Sequence, residues 1–221
     1  KVGPQQVSAS VYVLDRQAKS WTKGGYRDQE PKYPASVVKV FWLAYLAKQV
    51  EAGKVQLSEE AQRAAKDMIR DSSNDATGYV VNLSTGANPG PELSGKAYDT
   101  WFTKRNGANE WFKSLGYEKI NVLNRTYNEG PYGVERQAVG EKYDRRNLLT
   151  TDATARLMAE IHLDKIVSPR QCEWMRSLLS RAVPADSAEA DGQSKGYTGS
   201  LLPKGCKLWS KAGWTSDTRH D

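Results

Sequence analysis

The stretch from Val37 to Val50 constrains this chain more than any other. Val37, Val40, Phe41, Leu43, Ala44, Leu46, Ala47 and Val50 cover more than one face of a helix. Such a helix has no side to turn to water and belongs at the centre of a core. Lys39 and Lys48 interrupt it, and it falls short of the roughly 18 apolar residues that span a bilayer, so no transmembrane segment is expected. A Pro-marked loop, Pro31 to Pro34, leads in, the helix opens at Ser36, and Gly53 is its C-terminal stop.

Around this helix the chain divides by period. Val7 to Asp15 alternates as a strand, with Val7, Ala9, Val11 and Val13 on one face, and Ser20 to Tyr26 reads as its hairpin partner. Ser58, Glu59 and Glu60 open a second helix running to about Arg70. Further helices are expected over Asp75 to Leu83, Asn109 to Leu115, Thr151 to Leu163 and Pro169 to Ala182. Ser84 to Lys96 and Pro184 to Ser200 read as loops, and Asn124 to Asn147, without a clean period, as a long functional one. Lys207 to Thr215 reads as a strand. Strands at both ends with helices between them imply an α+β fold: one antiparallel sheet built from both termini, flanked by helices.

Several function classes are excluded at this level. The net charge is +6, but the Lys and Arg residues are scattered rather than striped, so no nucleic-acid partner is expected. Two His and two Cys, far apart, make no zinc pattern, and no phosphate-binding glycine loop occurs. No metal or cofactor is therefore expected. Cys172 and Cys206 are compatible with one disulfide or with two buried thiols. No leader reads at Lys1, and a mature secreted chain would have lost it.

Three short motifs carry chemistry. Ser36-Val37-Val38-Lys39 places a hydroxyl and an amine at i and i+3, on one helical face. A serine needs a neighbouring base, and burial among Val, Phe and Leu disfavours the ammonium form that would prevent Lys39 from being one. Backbone N–H groups at a helix start can stabilise an oxyanion. A second S-x-x-K, Ser20 to Lys23, lies in the hairpin, where i and i+3 do not share a helical face. Ser72-Ser73-Asn74 falls between two helices, and these residue types also suit helix capping. Lys211-Ala212-Gly213 lies on the last strand beside Trp214, where glycine permits close approach of a substrate backbone.

In this order the three motifs resemble the signature of penicillin-binding proteins and class A β-lactamases. Met68 to Thr77 and Leu149 to Met158 are similar to family segments as well, so the resemblance covers nearly the whole chain, residues 1–221. It implies one catalytic domain with an α/β part over about 1–52 and 196–221 and an inserted all-helical part over about 53–195. Carried over residue by residue, it implies Ser36 as the acylated nucleophile, Lys39 as its base, and Ser72 as the proton relay. Asn74 would hold the substrate amide carbonyl, and Lys211 would attract the substrate carboxylate and tune Ser72. The N–H groups of Ser36 and Trp214 would form the oxyanion hole, with Gly213 beside them.

The chain departs from the family pattern in three places. Ala212 lacks a hydroxyl often present there, so that contact to the substrate carboxylate is either missing or supplied by Thr215. Ser73 stands where the family has Asp. In the stretch Leu123 to Pro131, alignment on Arg125 puts Tyr127, as a residue facing the substrate, where class A β-lactamases have the Glu that activates the deacylating water; Glu129 follows two residues later. Loss of a positioned general base costs roughly 10²–10⁴-fold in rate.

The resemblance is thus closest to class-A-like penicillin-binding proteins of the PBP-A type. It implies a DD-peptidase acting on D-Ala-D-Ala peptidoglycan stems, with β-lactam antibiotics as covalent inhibitors, in an extracytoplasmic setting. The alternatives are a β-lactamase using Glu129, a non-hydrolytic β-lactam sensor, and an inactive relative. The family continues past the K-x-G strand with further strands and a helix that this sequence is expected to lack; Arg219 is the candidate for a basic residue on the substrate carboxylate.

Overall fold

The central helix, α1 (Val38–Glu51), is buried on all sides, with Val38, Phe41, Trp42, Leu43, Ala44, Leu46 and Ala47 fully enclosed. The computed structural model describes residues 3–221; Lys1 and Val2, at the start of the expected domain, lie outside the described residues. Helices α2 (Glu59–Arg70) and α3 (Asn74–Thr85) pack on α1. So does α8 (Pro169–Leu179), while α5 (Gly107–Ser114) adds Phe112, whose ring meets Phe41 at 5.0 Å. One apolar core runs through all of them and through α7 (Thr151–His162), the continuous enclosure an all-round apolar helix requires.

Side-chain caps fix the helix starts. Ser58 accepts from Ala61 N, Ser73 from Ala76 N, and Thr150 from Ala153 N. The left-handed Ser72, at φ +57°, reverses the chain between α2 and α3.

The hairpin β1 (Ala9–Asp15) and β2 (Ser20–Tyr26) pairs antiparallel, with Val11 opposite Gly24 and Leu14 opposite Trp21. The valine face is the outer one: Val11 and Val13 are 62% and 64% exposed. The inner face carries Ser10 and Tyr12, whose hydroxyls bond Thr151 at 2.9 Å and Asp152 at 2.7 Å on α7. Polar handles rather than valines dock this hairpin.

At the other end β3 (Ser180–Arg181) pairs with β4 (Leu208–Trp209), and β5 (Gly213–Trp214) with β6 (Arg219–His220). The expected single strand over 207–215 is therefore two short ones. It changes partners at Ser210, which donates its N–H to Leu179 O and accepts from buried Arg181. Likewise, among the described residues, the expected sheet from both termini is three separate two-stranded ladders.

The long segment after Asn124 contains α6 (Gly133–Val139), which packs Val134 and Ala138 against Ala87 and against Trp101 of α4 (Gly95–Arg105). The polar stretch before Ser200 contains a short helix, α9 (Gly192–Lys195), capped by Asp191. Both cysteines are free thiols, Cys172 buried and Cys206 half-buried. Among the described residues no helix is long and apolar enough to cross a membrane.

Candidate active site

Ser36 lies in a tight 3-10 turn, Ala35–Val37, that feeds α1. Ala35 before it is left-handed at φ +47°, a strained conformation for alanine. In this turn Val37 N donates to Pro34 O at 3.1 Å, while the N–H of Ser36 precedes the first acceptor of the turn. β5 presses directly on this turn: a Cβ on Gly213 would come within 2.8 Å of Pro34 O and Ser36 N, and 2.9 Å of Val37 N. The motif glycine is thus required by protein backbone, not only by an approaching substrate.

Four motif side chains converge behind Ser36. One helical turn on, Lys39 is fully buried, and its Nζ lies 3.0 Å from Ser36 Oγ, 3.1 Å from Ser72 Oγ, 2.5 Å from Ser72 O and 2.9 Å from Asn74 Oδ1. From the opposite side Lys211 Nζ reaches Ser72 Oγ at 3.0 Å, Gln193 Oε1 at 2.6 Å and Ala212 O at 2.6 Å. Ser72 Oγ therefore sits between two amines. Ser73 turns away to cap α3, so the capping and cleft readings of this motif divide between neighbouring residues.

Burial sets the charge of both amines. Desolvation alone lowers Lys39 to about 7. Lys211 is lowered to about 6, by burial first and then by the charges of Lys39 and Arg181, against the opposing pull of Asp191 and Asp221. Near neutral pH the cluster can hold Lys39 unprotonated, the form that takes a proton from a serine. The three hydrogens of a Lys211 ammonium are spent on Ser72, Gln193 and Ala212 O, which leaves none for a substrate carboxylate.

The loop facing this cluster differs from expectation. The Tyr127 ring does not face the cleft; its hydroxyl donates to Glu135 Oε2 at 3.0 Å. Glu135 is buried against Arg105, with two bonds of 2.7 and 2.8 Å; burial of the Tyr127 ring first, then the adjacent Glu135 carboxylate, holds the Tyr127 phenol well above the ordinary tyrosine range, against the opposing charges of Arg105 and Arg125. Only the Tyr127 carbonyl reaches the site, accepting from Asn74 Nδ2 at 3.0 Å; Asn128 Oδ1 accepts from the same nitrogen at 2.9 Å. Asn147 closes the neck of the loop, accepting from Leu123 N and Asn124 N. Glu129 is exposed, and among the described residues no carboxylate hydrogen-bonds to Ser36, Lys39, Ser72, Asn74 or Lys211.

The remaining candidates lie at the rim. Trp214 is half exposed, its ring 6.3 Å from that of Tyr197. Thr215 does not present a free hydroxyl: Oγ1 bonds Thr218 Oγ1 at 2.8 Å and accepts from Asp217 N and Thr218 N within the β5–β6 turn. Arg219 folds back onto the carbonyls of Thr215 and Thr218. Neither is brought to the lysine pair, because the short turn satisfies its own backbone with them.

Sequence reading missed Gln193, Arg181 and Asn128. Gln193 links Lys211 to Arg70 O at the end of α2, and Arg181 donates to Ile69 O at 2.7 Å. Gln193 comes from the stretch read as a polar loop, and Arg181 from the end of the helix expected over Pro169 to Ala182, where the chain has already left α8 for β3. The one signal for Asn128 was its place beside Tyr127.

A family model described as the beta-lactamase enzyme family matches residues 2–89 and 98–221. Among solved structures, the chain is similar to a β-lactamase from Chitinophaga pinensis at 16% identity, covering 94% of this chain and 73% of that one, with a TM-score of 0.62. A β-lactamase from Sphaerobacter thermophilus gives the same figures. An ancestral class A β-lactamase matches at 17% identity over 95% of this chain and 75% of its own, with a TM-score of 0.63. At such identities the likeness is one of fold. No curated protein matches the sequence.

Proposed function

The chain belongs to the beta-lactamase enzyme family, with that family's serine-hydrolase fold, and we propose that it is an acyl-serine enzyme of the penicillin-binding type. In this reading neutral Lys39 takes the Ser36 proton as Oγ attacks a carbonyl carbon. The N–H groups of Ser36 and Trp214 hold the oxyanion. Collapse breaks the C–N bond, and Ser72 passes its proton to the departing amine, with Lys39 and Lys211 restoring it.

The observation that carries this reading is that, among the described residues, Lys39 has no carboxylate partner, and its lowered pKa has burial as its one cause. The amines suffice to form the acyl-enzyme. Among the described residues no carboxylate bonds the cluster to activate water against a β-lactam acyl group, so a β-lactam should remain on Ser36 far longer than a peptide acyl group does. The natural substrate in this reading is a D-Ala-D-Ala peptidoglycan stem in an extracytoplasmic setting, with β-lactams as covalent inhibitors.

A second reading, hydrolysis of β-lactams, is favoured by the structural neighbours, which are themselves β-lactamases. It requires a loop carboxylate, Glu129 in the first place, to reach the acyl-enzyme. Turnover of a D-Ala-D-Ala peptide or thioester, lost in Ser36→Ala, supports the first reading. Rapid cephalosporin hydrolysis abolished by Glu129→Gln would establish the second.

A further inference from the structure

The carboxamide of Asn74 is fully committed inside the protein. Its Oδ1 accepts from Lys39, and Nδ2 donates to Tyr127 O at 3.0 Å and to Asn128 Oδ1 at 2.9 Å. An amide nitrogen has two hydrogens, so none remains for the carbonyl of a bound substrate. One of the two acceptors must leave before Asn74 can hold a ligand there.

The two acceptors are not equally free to leave. The Tyr127 carbonyl is pinned, because its ring is anchored through its hydroxyl on buried Glu135. Asn128 is exposed, and its Oδ1 makes a neutral bond at the edge of the cleft. That Oδ1 is a carboxamide oxygen, the same chemical group as the acylamido carbonyl of a penicillin or the peptide carbonyl of a stem.

We propose that Asn128 is a specificity-determining latch whose side-chain carbonyl occupies the amide subsite of Asn74 until a ligand's own amide carbonyl displaces it. The proposal rests on the acyl-serine reading above. It makes Asn128 a penalty that falls on ligands carrying an amide carbonyl and not on a β-lactam without one.

The test compares second-order acylation constants for benzylpenicillin and for 6-aminopenicillanic acid, which lacks the side-chain carbonyl. Asn128→Ala should raise the benzylpenicillin constant about two- to tenfold and leave the other within about twofold, the range expected for one exposed neutral hydrogen bond. Asn128→Asp, a stronger charged acceptor, should lower the benzylpenicillin constant. An Asn128→Ala variant slower with benzylpenicillin, or changed equally with both compounds, overturns the latch.

A second readout needs no acylation. In the ligand-free protein, one side-chain amide proton of Asn74 should move upfield in the NMR spectrum of Asn128→Ala. An unchanged pair overturns the latch. A shifted proton in a protein that no β-lactam acylates would support the latch while overturning the acyl-serine reading.

Discussion

Lys39 Nζ lies 3.0 Å from Ser36 Oγ, inside a core that removes the water an ammonium needs. The distance makes proton transfer possible, and burial gives it a direction at neutral pH. The acylation rate should therefore rise with pH through about 7, where Lys39 loses its proton. Lys39→Arg, permanently charged, should lose roughly 10²–10⁴-fold in acylation. A flat profile from pH 5.5 to 8.5 would contradict a lysine base.

The same burial links pH to stability. Lys39 and Lys211 hold fewer protons folded, with values of about 7 and about 6, than unfolded, where both lie near 10.5. Where the unfolded chain binds more protons, stability rises with pH. Urea midpoints should therefore increase from pH 6 to pH 9, and below about 6, where both amines are charged in the fold, the penalty for burying their charge is complete. Lys39→Met should flatten the rise; an unchanged slope would mean that Lys39 is not desolvated.

Gly213 is the contact that sets β5 on the nucleophile turn. Its absent Cβ would meet Pro34 O and Ser36 N at 2.8 Å, and backbone atoms cannot rotate aside. Gly213→Ala should lower acylation by at least about tenfold through displacement of the oxyanion donors. Circular dichroism should show the helices intact; a fully active variant would show that β5 does not define the site.

The loop bearing Tyr127 and Asn128 hangs on the buried Arg105–Glu135 pair. Glu135→Ala would leave Arg105 buried without its partner, at a cost of about 3–5 kcal/mol. Urea unfolding measures this directly. A loss below about 1 kcal/mol would place the pair among the weakly coupled ones.

Much of this site is legible from local pattern. Ser36 and Lys39 are one helical turn apart, and the all-round apolar helix announces that Lys39 is buried. Ser72 and Asn74 are separated from Ser73 by the reversal between two helices. What local pattern cannot supply is long-range pairing. Gln193 meets Lys211 because α9 folds back on α2, and Tyr127 leaves the cleft because Glu135 and Arg105 meet beneath it. Thr215 and Arg219 had the right chemistry at the right spacing, yet the β5–β6 turn consumes both. In β1 the period was legible and the orientation was not, since hydroxyls on the inner face dock it to α7.

Ser72 is the hinge of the proton relay, with Oγ 3.1 Å from Lys39 Nζ and 3.0 Å from Lys211 Nζ. Ser72→Ala should slow acylation roughly 10²-fold or more while leaving the noncovalent affinity for benzylpenicillin nearly unchanged. An equal loss in binding would make Ser72 a substrate contact rather than a relay.

The central claim is that this cluster forms a β-lactam acyl-enzyme it cannot readily hydrolyse. Intact mass of the protein followed for hours after mixing with benzylpenicillin tests it most directly. A persistent one-to-one adduct mapping to Ser36 is the predicted result. An adduct that disappears within seconds while penicillin is consumed would contradict the claim and identify a deacylating base in the loop.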